Sequence, residues 1–155
     1  MENYQKFIIA LLVPFIAGGI GSFFTYPEIE SWYSHLVKPT FNPPNWVFGP
    51  VWTLLYILIG ISFYTVWKEK SISNNLETYK YFFIQLVLNA LWSFVFFGLK
   101  DLLLALLVII FLLISILLNI ISFYRESKIS AYLLIPYLLW VCFASVLNYF
   151  VFILN

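Results

Sequence analysis

A chain of 155 residues that is 63% hydrophobic and only 10% charged has too few charges to cover a water-facing surface, which excludes a soluble domain. These features point to an all-α membrane protein, a five transmembrane helix bundle in a single domain spanning 1–155. The net charge of +1 gives no basis for a nucleic-acid partner, and a lone cysteine, Cys142, cannot close an intrachain disulfide.

In chain order, the first charge-free run is 7–24. Lys6 followed by an apolar stretch resembles a secretory signal, but no A-x-A-like cleavage site follows, so the run is expected to stay as a span. Its Gly18, Gly19, Gly21 and Ser22 are small enough for close backbone approach. The segment 25–46 comes next, and each residue before a proline in it is pushed toward extended geometry. Lys38-Pro39 and Asn42-Pro43-Pro44 therefore predict a stiff, non-helical lid. Asn45 is expected to cap the next helix, with Pro50 in or near its first turn. That span, 47–67, sets Trp52, Tyr56, Gly60, Phe63 and Trp67 on one face. The third, 81–99, aligns Gln85, Asn89, Trp92 and Phe96. The fourth, 102–123, aligns Ser115, Asn119 and Ser122, a pattern that fits bonding between helices. The fifth, 131–154, aligns Tyr137, Trp140, Ala144 and Asn148. Each run is near the roughly 20 apolar residues that a spanning helix needs.

Short connections make sequential helices antiparallel neighbours. Uncharged polar groups in lipid are costly unless they face the interior, so the stripes on the second, third and fifth spans are expected to converge. Taken singly, each stripe fits helix packing. Together under a proline-rich roof, Trp52, Asn89, Trp92, Ala144 and Asn148 point to a neutral, aromatic ligand chamber, with Gly19 and Ser22 on its first-helix side. The basic residues divide six (Lys6, Lys68, Lys70, Lys80, Arg125, Lys128) against two (Lys38, Lys100). The positive-inside rule then sets the N-terminus in the cytoplasm and the lid and C-terminus outside.

No span contains Asp, Glu, Lys, Arg or His, which disfavours proton relays, ion pumps and voltage sensors. No buried carboxylate pair is available for hydrolysis. His35 stands alone in the lid, and Cys142 has no cationic neighbour in sequence to activate it. No catalytic residue, metal site or cofactor is assigned.

The motifs WY at Trp32-Tyr33, KPTFNPPNWVFGPVWTLLYILIG at 38–60, LNALWS at 88–93 and SAYLLIPYLLWVCFASVLN at 130–148 occur in this order. Over nearly the whole chain they resemble the translocator protein family, also called tryptophan-rich sensory proteins or peripheral benzodiazepine receptors. The resemblance implies five packed helices, usually a homodimer, and a chamber closed by the first loop. It implies binding of tetrapyrroles such as protoporphyrin IX and haem, with cholesterol and drug-like ligands added in animal members. Carried onto matching positions, it lines the chamber with Tyr33, Trp52, Tyr56, Asn89, Trp92, Trp140 and Ala144. Trp52 and Trp140 match tryptophans linked in bacterial members to light-dependent porphyrin breakdown. The cholesterol pattern of animal members is incomplete here, because no basic residue follows Tyr149. A porphyrin's carboxylates would need a cation, and Lys38 is the expected partner at the lid end. The expected function is a membrane-embedded binding protein for tetrapyrroles and drug-like ligands, with a sensing or porphyrin-handling role. A light-dependent porphyrin-degrading enzyme and a tetrapyrrole or sterol transporter are the alternatives. The expected setting is the cell membrane of a bacterium, as a multi-pass protein.

Overall fold

Five helices of 23 to 27 residues, each apolar enough to cross a bilayer, build the protein: Asn3–Thr25, Asn45–Trp67, Leu76–Gly98, Leu102–Tyr124 and Lys128–Leu154. The computed structural model describes residues 1–155. Within those spans lie α1 (Asn3–Thr25), α3 (Asn45–Trp67), α4 (Leu76–Ser93) with a π-helical turn Phe94–Gly98, α5 (Leu102–Tyr124), and α6 (Lys128–Leu133) followed by α7 (Ile135–Leu154). The lid contributes α2 (Glu28–Ser31) and a 3-10 turn, Tyr33–His35. There are no strands. Large apolar side chains such as Phe23, Val87 and Leu139 are exposed on the outside. That surface suits lipid and not water, and the chain is an integral membrane protein.

Several boundaries differ from the sequence expectation, each for a local reason. The third span starts at Leu76, well before residue 81, because Glu77 and Lys80 pair at 2.7 Å within its first turns. The fifth starts at Lys128 and breaks at Leu134. Pro136, without an N–H, cannot donate to the Tyr132 carbonyl. Asn45 does not cap α3. It is the first helical residue, Pro44 holds the N-cap, and no side chain bonds there. Pro50 lies inside the helix, past the first turn, and leaves the Trp46 carbonyl without its usual donor. The lid is non-helical only in its proline-rich second half. Elsewhere the caps follow ordinary chemistry, with Asp101 accepting from the Leu104 N–H at 2.9 Å and Ser127 from the Ser130 N–H at 3.3 Å.

In the bundle α1 packs on α3 and α4, α4 on α5, and α5 on α7. The tightest crossing is set by two residues. Pro14, inside α1, frees the Ala10 carbonyl from its helical donor. That oxygen lies against Gly60 of α3, where a Cβ would come within 2.8 Å of it. Such close backbone approach permits Cα–H···O contacts. The end of the bundle away from the lid is filled with aromatic rings. Phe63 stacks on Phe82 at 4.3 Å and on Trp67 at 5.2 Å, and Phe82 stacks on Phe123 at 5.8 Å. Ser62 and Ser130 tie α3 to α6, each hydroxyl donating to the other's carbonyl at 2.8 Å.

Candidate functional site

The lid end is built differently, beginning with the π-helical turn. There the Leu99 N–H donates to the Phe94 carbonyl at 2.9 Å, one residue further back than in an α-helix. The extra residue per turn lets adjacent side chains, Phe96 and Phe97, both be buried. Trp32 packs edge-on against them at 5.6 and 6.1 Å, and Tyr33 lies at 6.3 and 5.8 Å. Two polar ties flank this aromatic seat. Lys100 Nζ lies 3.1 Å from the Glu28 carboxylate, from a turn whose φ of 56° places Lys100 in the left-handed region. The Val37 N–H donates to Asn155 Oδ1 at 3.1 Å, and Asn155 Nδ2 donates to the Val37 carbonyl at 2.9 Å. The Lys100 ammonium holds the Glu28 carboxyl below its usual pKa.

Beneath the lid is a cavity of about 650 Å³. Gly19, Ser22, Tyr33, Trp52, Tyr56, Asn89, Trp92, Trp140, Ala144 and Asn148 all border it. Lys38 does not. Its ammonium sits 4.6 Å from the centre of the Tyr33 ring and donates to the Leu36 carbonyl at 3.1 Å. Burial lowers its pKa and raises that of the Tyr33 hydroxyl, so Tyr33 meets the cavity as a neutral phenol. Tyr33 is held near Asn42, whose Nδ2 lies 3.4 Å from the hydroxyl.

The chamber floor is a chain of hydrogen bonds. Tyr56 Oη donates to Asn89 Oδ1 at 3.1 Å, Asn89 Nδ2 donates to Tyr137 Oη at 2.9 Å, and Tyr137 Oη donates to Gln85 Oε1 at 2.7 Å. Beside it Trp92 Nε1 donates to Asn148 Oδ1 at 2.9 Å, and Asn148 Nδ2 donates to the Leu102 carbonyl at 3.1 Å. The three stripes read from the sequence thus meet, and most of their polar capacity is spent on one another. Gly18 makes room for this floor, since a Cβ there would lie 2.5 Å from the Tyr56 ring. Of the residues with a buried, unpartnered side-chain polar atom, Gln85, Asn119 and Trp140, only Trp140 borders the cavity.

Other wall residues were not picked out as ligand contacts from the sequence. Phe48, 5.8 Å from Trp140, lies four residues before Trp52 and extends its stripe, so its place was readable. Phe97 is buried only through the π-helical turn. Ile109 and Leu112 bring α5 to the wall; Leu112 continues the face of Ser115 and Asn119, a stripe whose polar groups fit bonding between helices and gave no sign of a cavity.

The wall has no charged side chain and no His, Cys or Met, and no group of three or more metal-ligating residues occurs in the chain. It can stack against flat apolar faces, select by shape and offer a few neutral polar groups such as the Ser22 and Ser93 hydroxyls.

The TspO/MBR family model matches residues 10–154. The chain is 47% identical to the tryptophan-rich protein TspO of Archaeoglobus fulgidus, covering 99% of both chains. It is 36% identical to the human translocator protein, covering 89% of this chain and 83% of that one. It is 32% identical to the tryptophan-rich sensory protein of Cereibacter sphaeroides, covering 77% and 74%. With five apolar helices and a tryptophan-walled cavity in register with that match, the chain belongs to the TspO/MBR family.

Proposed function

We propose that the chamber binds a tetrapyrrole of the protoporphyrin type, and drug-like apolar ligands by the same contacts, in a sensing or porphyrin-handling role. The observation that carries this is the uncharged cavity of about 650 Å³ walled by Trp52, Tyr56, Trp92 and Trp140. That volume falls within the roughly 300–1,000 Å³ typical of small-molecule sites, and indole and phenol faces suit a flat aromatic macrocycle. The wall offers a haem iron no His, Cys or Met, the Tyr56 hydroxyl is spent on Asn89 and burial keeps Tyr33 a neutral phenol, so ring stacking is expected to supply more of the affinity than axial ligation. Metal-free protoporphyrin is therefore expected to bind at least as well as haem. The acidic edge of the ligand points to the lid, where Lys38 and Lys100 are the only cations. Lys100 is engaged by Glu28, which leaves Lys38 to swing from the Tyr33 ring to a carboxylate. The six-to-two distribution of basic residues supports a cytoplasmic N-terminus and an external lid, and the protein acts as a homodimer in a bacterial cell membrane.

The test is titration of the reconstituted protein with protoporphyrin IX in the dark, read by tryptophan quenching. Saturable one-to-one quenching is expected. Linear quenching that matches simple partition into the bilayer would remove the proposal.

Trp52 and Trp140 both border the cavity, and this favours a second reading in which the illuminated porphyrin, acting as its own sensitiser, is oxidised by dissolved dioxygen, which is reduced, with these indoles relaying electrons between them. Combined Trp52→Phe and Trp140→Phe changes are then expected to keep dark binding and abolish light-dependent pigment loss. Unchanged loss, after subtraction of free-pigment bleaching, would leave a binding protein alone.

A further inference from the structure

The roof and one side wall of the chamber are held in opposite ways. The lid is tied through Glu28 to Lys100, through Trp32 and Tyr33 to Phe96 and Phe97, and through Val37 to Asn155. All of these ties run to α4, to the turn after it or to the end of α7. On the α1–α3 side the Phe15 and Tyr56 rings meet at 5.6 Å at the chamber floor, and no side-chain hydrogen bond or ring contact fastens the two helices nearer the lid. The side-chain hydrogen bond between these helices, from Lys6 Nζ to the Trp67 carbonyl at 3.3 Å, lies at the far end.

Along that side Gly19 and Ser22 of α1, Tyr26 at its C-cap, and Trp46, Gly49 and Thr53 of α3 border the cavity and are also exposed. Intervals of three and four place each trio on one helix face. Residues that border an interior space and also reach the outside mark its mouth. A Cβ added at Gly19 or at Gly49 would meet nothing within 4 Å, so both glycines leave open space where a side chain would stand. Trp46 is 75% exposed in the first turn of α3, at the depth where tryptophan marks the bilayer interface.

We propose that the slot between α1 and α3 is a lateral portal, through which a flat apolar ligand passes from the bilayer into the chamber while the lid stays tied. The inference rests on the binding function proposed above. A ligand dissolved in lipid keeps its apolar faces out of water along this route, whereas entry through the lid would expose them. Its acidic edge travels at interface level beside Trp46. Gly49 and Trp46 set the width of the passage and therefore which ligands enter.

The test measures exchange of protoporphyrin IX in proteoliposomes by stopped-flow tryptophan quenching. Gly49→Phe fills the slot and is expected to slow association and dissociation alike, each by about tenfold, as a gate does and a lost contact does not. Trp46→Ala is expected to quicken both. In a Cys142→Ser background, Val37→Cys with Asn155→Cys fastens the lid when oxidised, and exchange is expected to keep the rate of the reduced protein. Unchanged rates in Gly49→Phe, or exchange halted by the oxidised lid, would overturn the portal. If the wild-type protein fails to bind porphyrin, the function proposed above falls and the portal is read independently. Ala144→Cys, again with Cys142→Ser, is then expected to react with a bilayer-dissolved maleimide, and Gly49→Phe to slow that reaction. An equal rate with and without Gly49→Phe would overturn it there too.

Discussion

The two ends of the bundle use the same residue types for opposite purposes. Away from the lid, glycine and aromatic rings pull helices together: Gly60 admits the Ala10 carbonyl, and Phe63 stacks on Phe82 at 4.3 Å. At the lid end α1, α3, α4, α5 and α7 surround about 650 Å³, and Gly49 faces open space. A glycine or tryptophan in a span therefore does not reveal whether helices touch or part. The deciding factor is what stands opposite. The backbone carbonyl freed by Pro14 meets Gly60, while the rings of Trp52, Trp92 and Trp140 border open space.

The largest expected effect contrasts the two glycines. Gly60→Leu drives a side chain into the Ala10 carbonyl and the Leu11 Cα, which lie 2.8 and 2.9 Å from the Cβ position. Backbone cannot yield as a flexible side chain can, and a loss of about 3 kcal/mol or complete failure to fold is expected. Gly49→Leu meets nothing within 4 Å, and gains up to about 1 kcal/mol of helix propensity. Thermal melting in detergent reads both, and equal losses would erase the distinction between a packed end and an open one.

Asn89→Leu comes next. It leaves the Tyr56 hydroxyl without its acceptor and removes a donor to Tyr137, at an expected cost of about 1–2 kcal/mol within a membrane bundle. A melting temperature equal to wild type would mean that the floor network does not hold the helices together.

Two tryptophans sharpen the comparison within the chamber itself. Trp92→Phe orphans the Asn148 acceptor and is expected to cost about 1 kcal/mol. Trp140→Phe removes an indole N–H that has no partner, so it sacrifices no hydrogen bond and is expected to be the milder change. The reverse order in melting experiments would show Trp140 bonded and Trp92 free.

The smallest effect concerns the lid. The Lys100 ammonium lowers the Glu28 pKa from 4.5. A carboxyl with a lowered pKa contributes its stabilisation above the ordinary value and loses it as pH falls through the lowered one. Trp32 fluorescence, which reports the lid's aromatic seat, is expected to change in acid below pH 4.5. Glu28→Gln is expected to remove that transition, and its persistence would assign it to another group.

Much of this arrangement was legible in the sequence, since charge-free length marks spans and polar stripes in lipid must find one another. Tyr56, Asn89, Trp92, Tyr137 and Asn148 were placed on converging faces by spacing alone. The hydrogen-bond partners were not, because spacing gives a face and not a depth relative to another helix. The start of α4 was hidden because Glu77 and Lys80 satisfy each other at the interface. The π-helical turn at Phe94–Gly98 has no sequence signature, and with it Phe97 went unseen. Proline marked the second half of the lid, whereas α2 is too short for a periodic pattern. The Lys38 ammonium turned onto Tyr33, a cation–π contact that residue types alone do not select over a cavity-facing pose.

The central claim is that tetrapyrrole binding occurs inside the chamber and not on the apolar outside. Ala144 borders the cavity in the middle of α7, and Ala144→Phe would occupy space that the ligand needs. Dark titration of wild type and Ala144→Phe with protoporphyrin IX, both first shown to be folded by their melting curves, tests the claim directly. The account predicts saturable binding to wild type and affinity lowered by about tenfold or more, equivalent to about 1.4 kcal/mol, in Ala144→Phe. Equal affinity in the two proteins would place the porphyrin outside the chamber and contradict it.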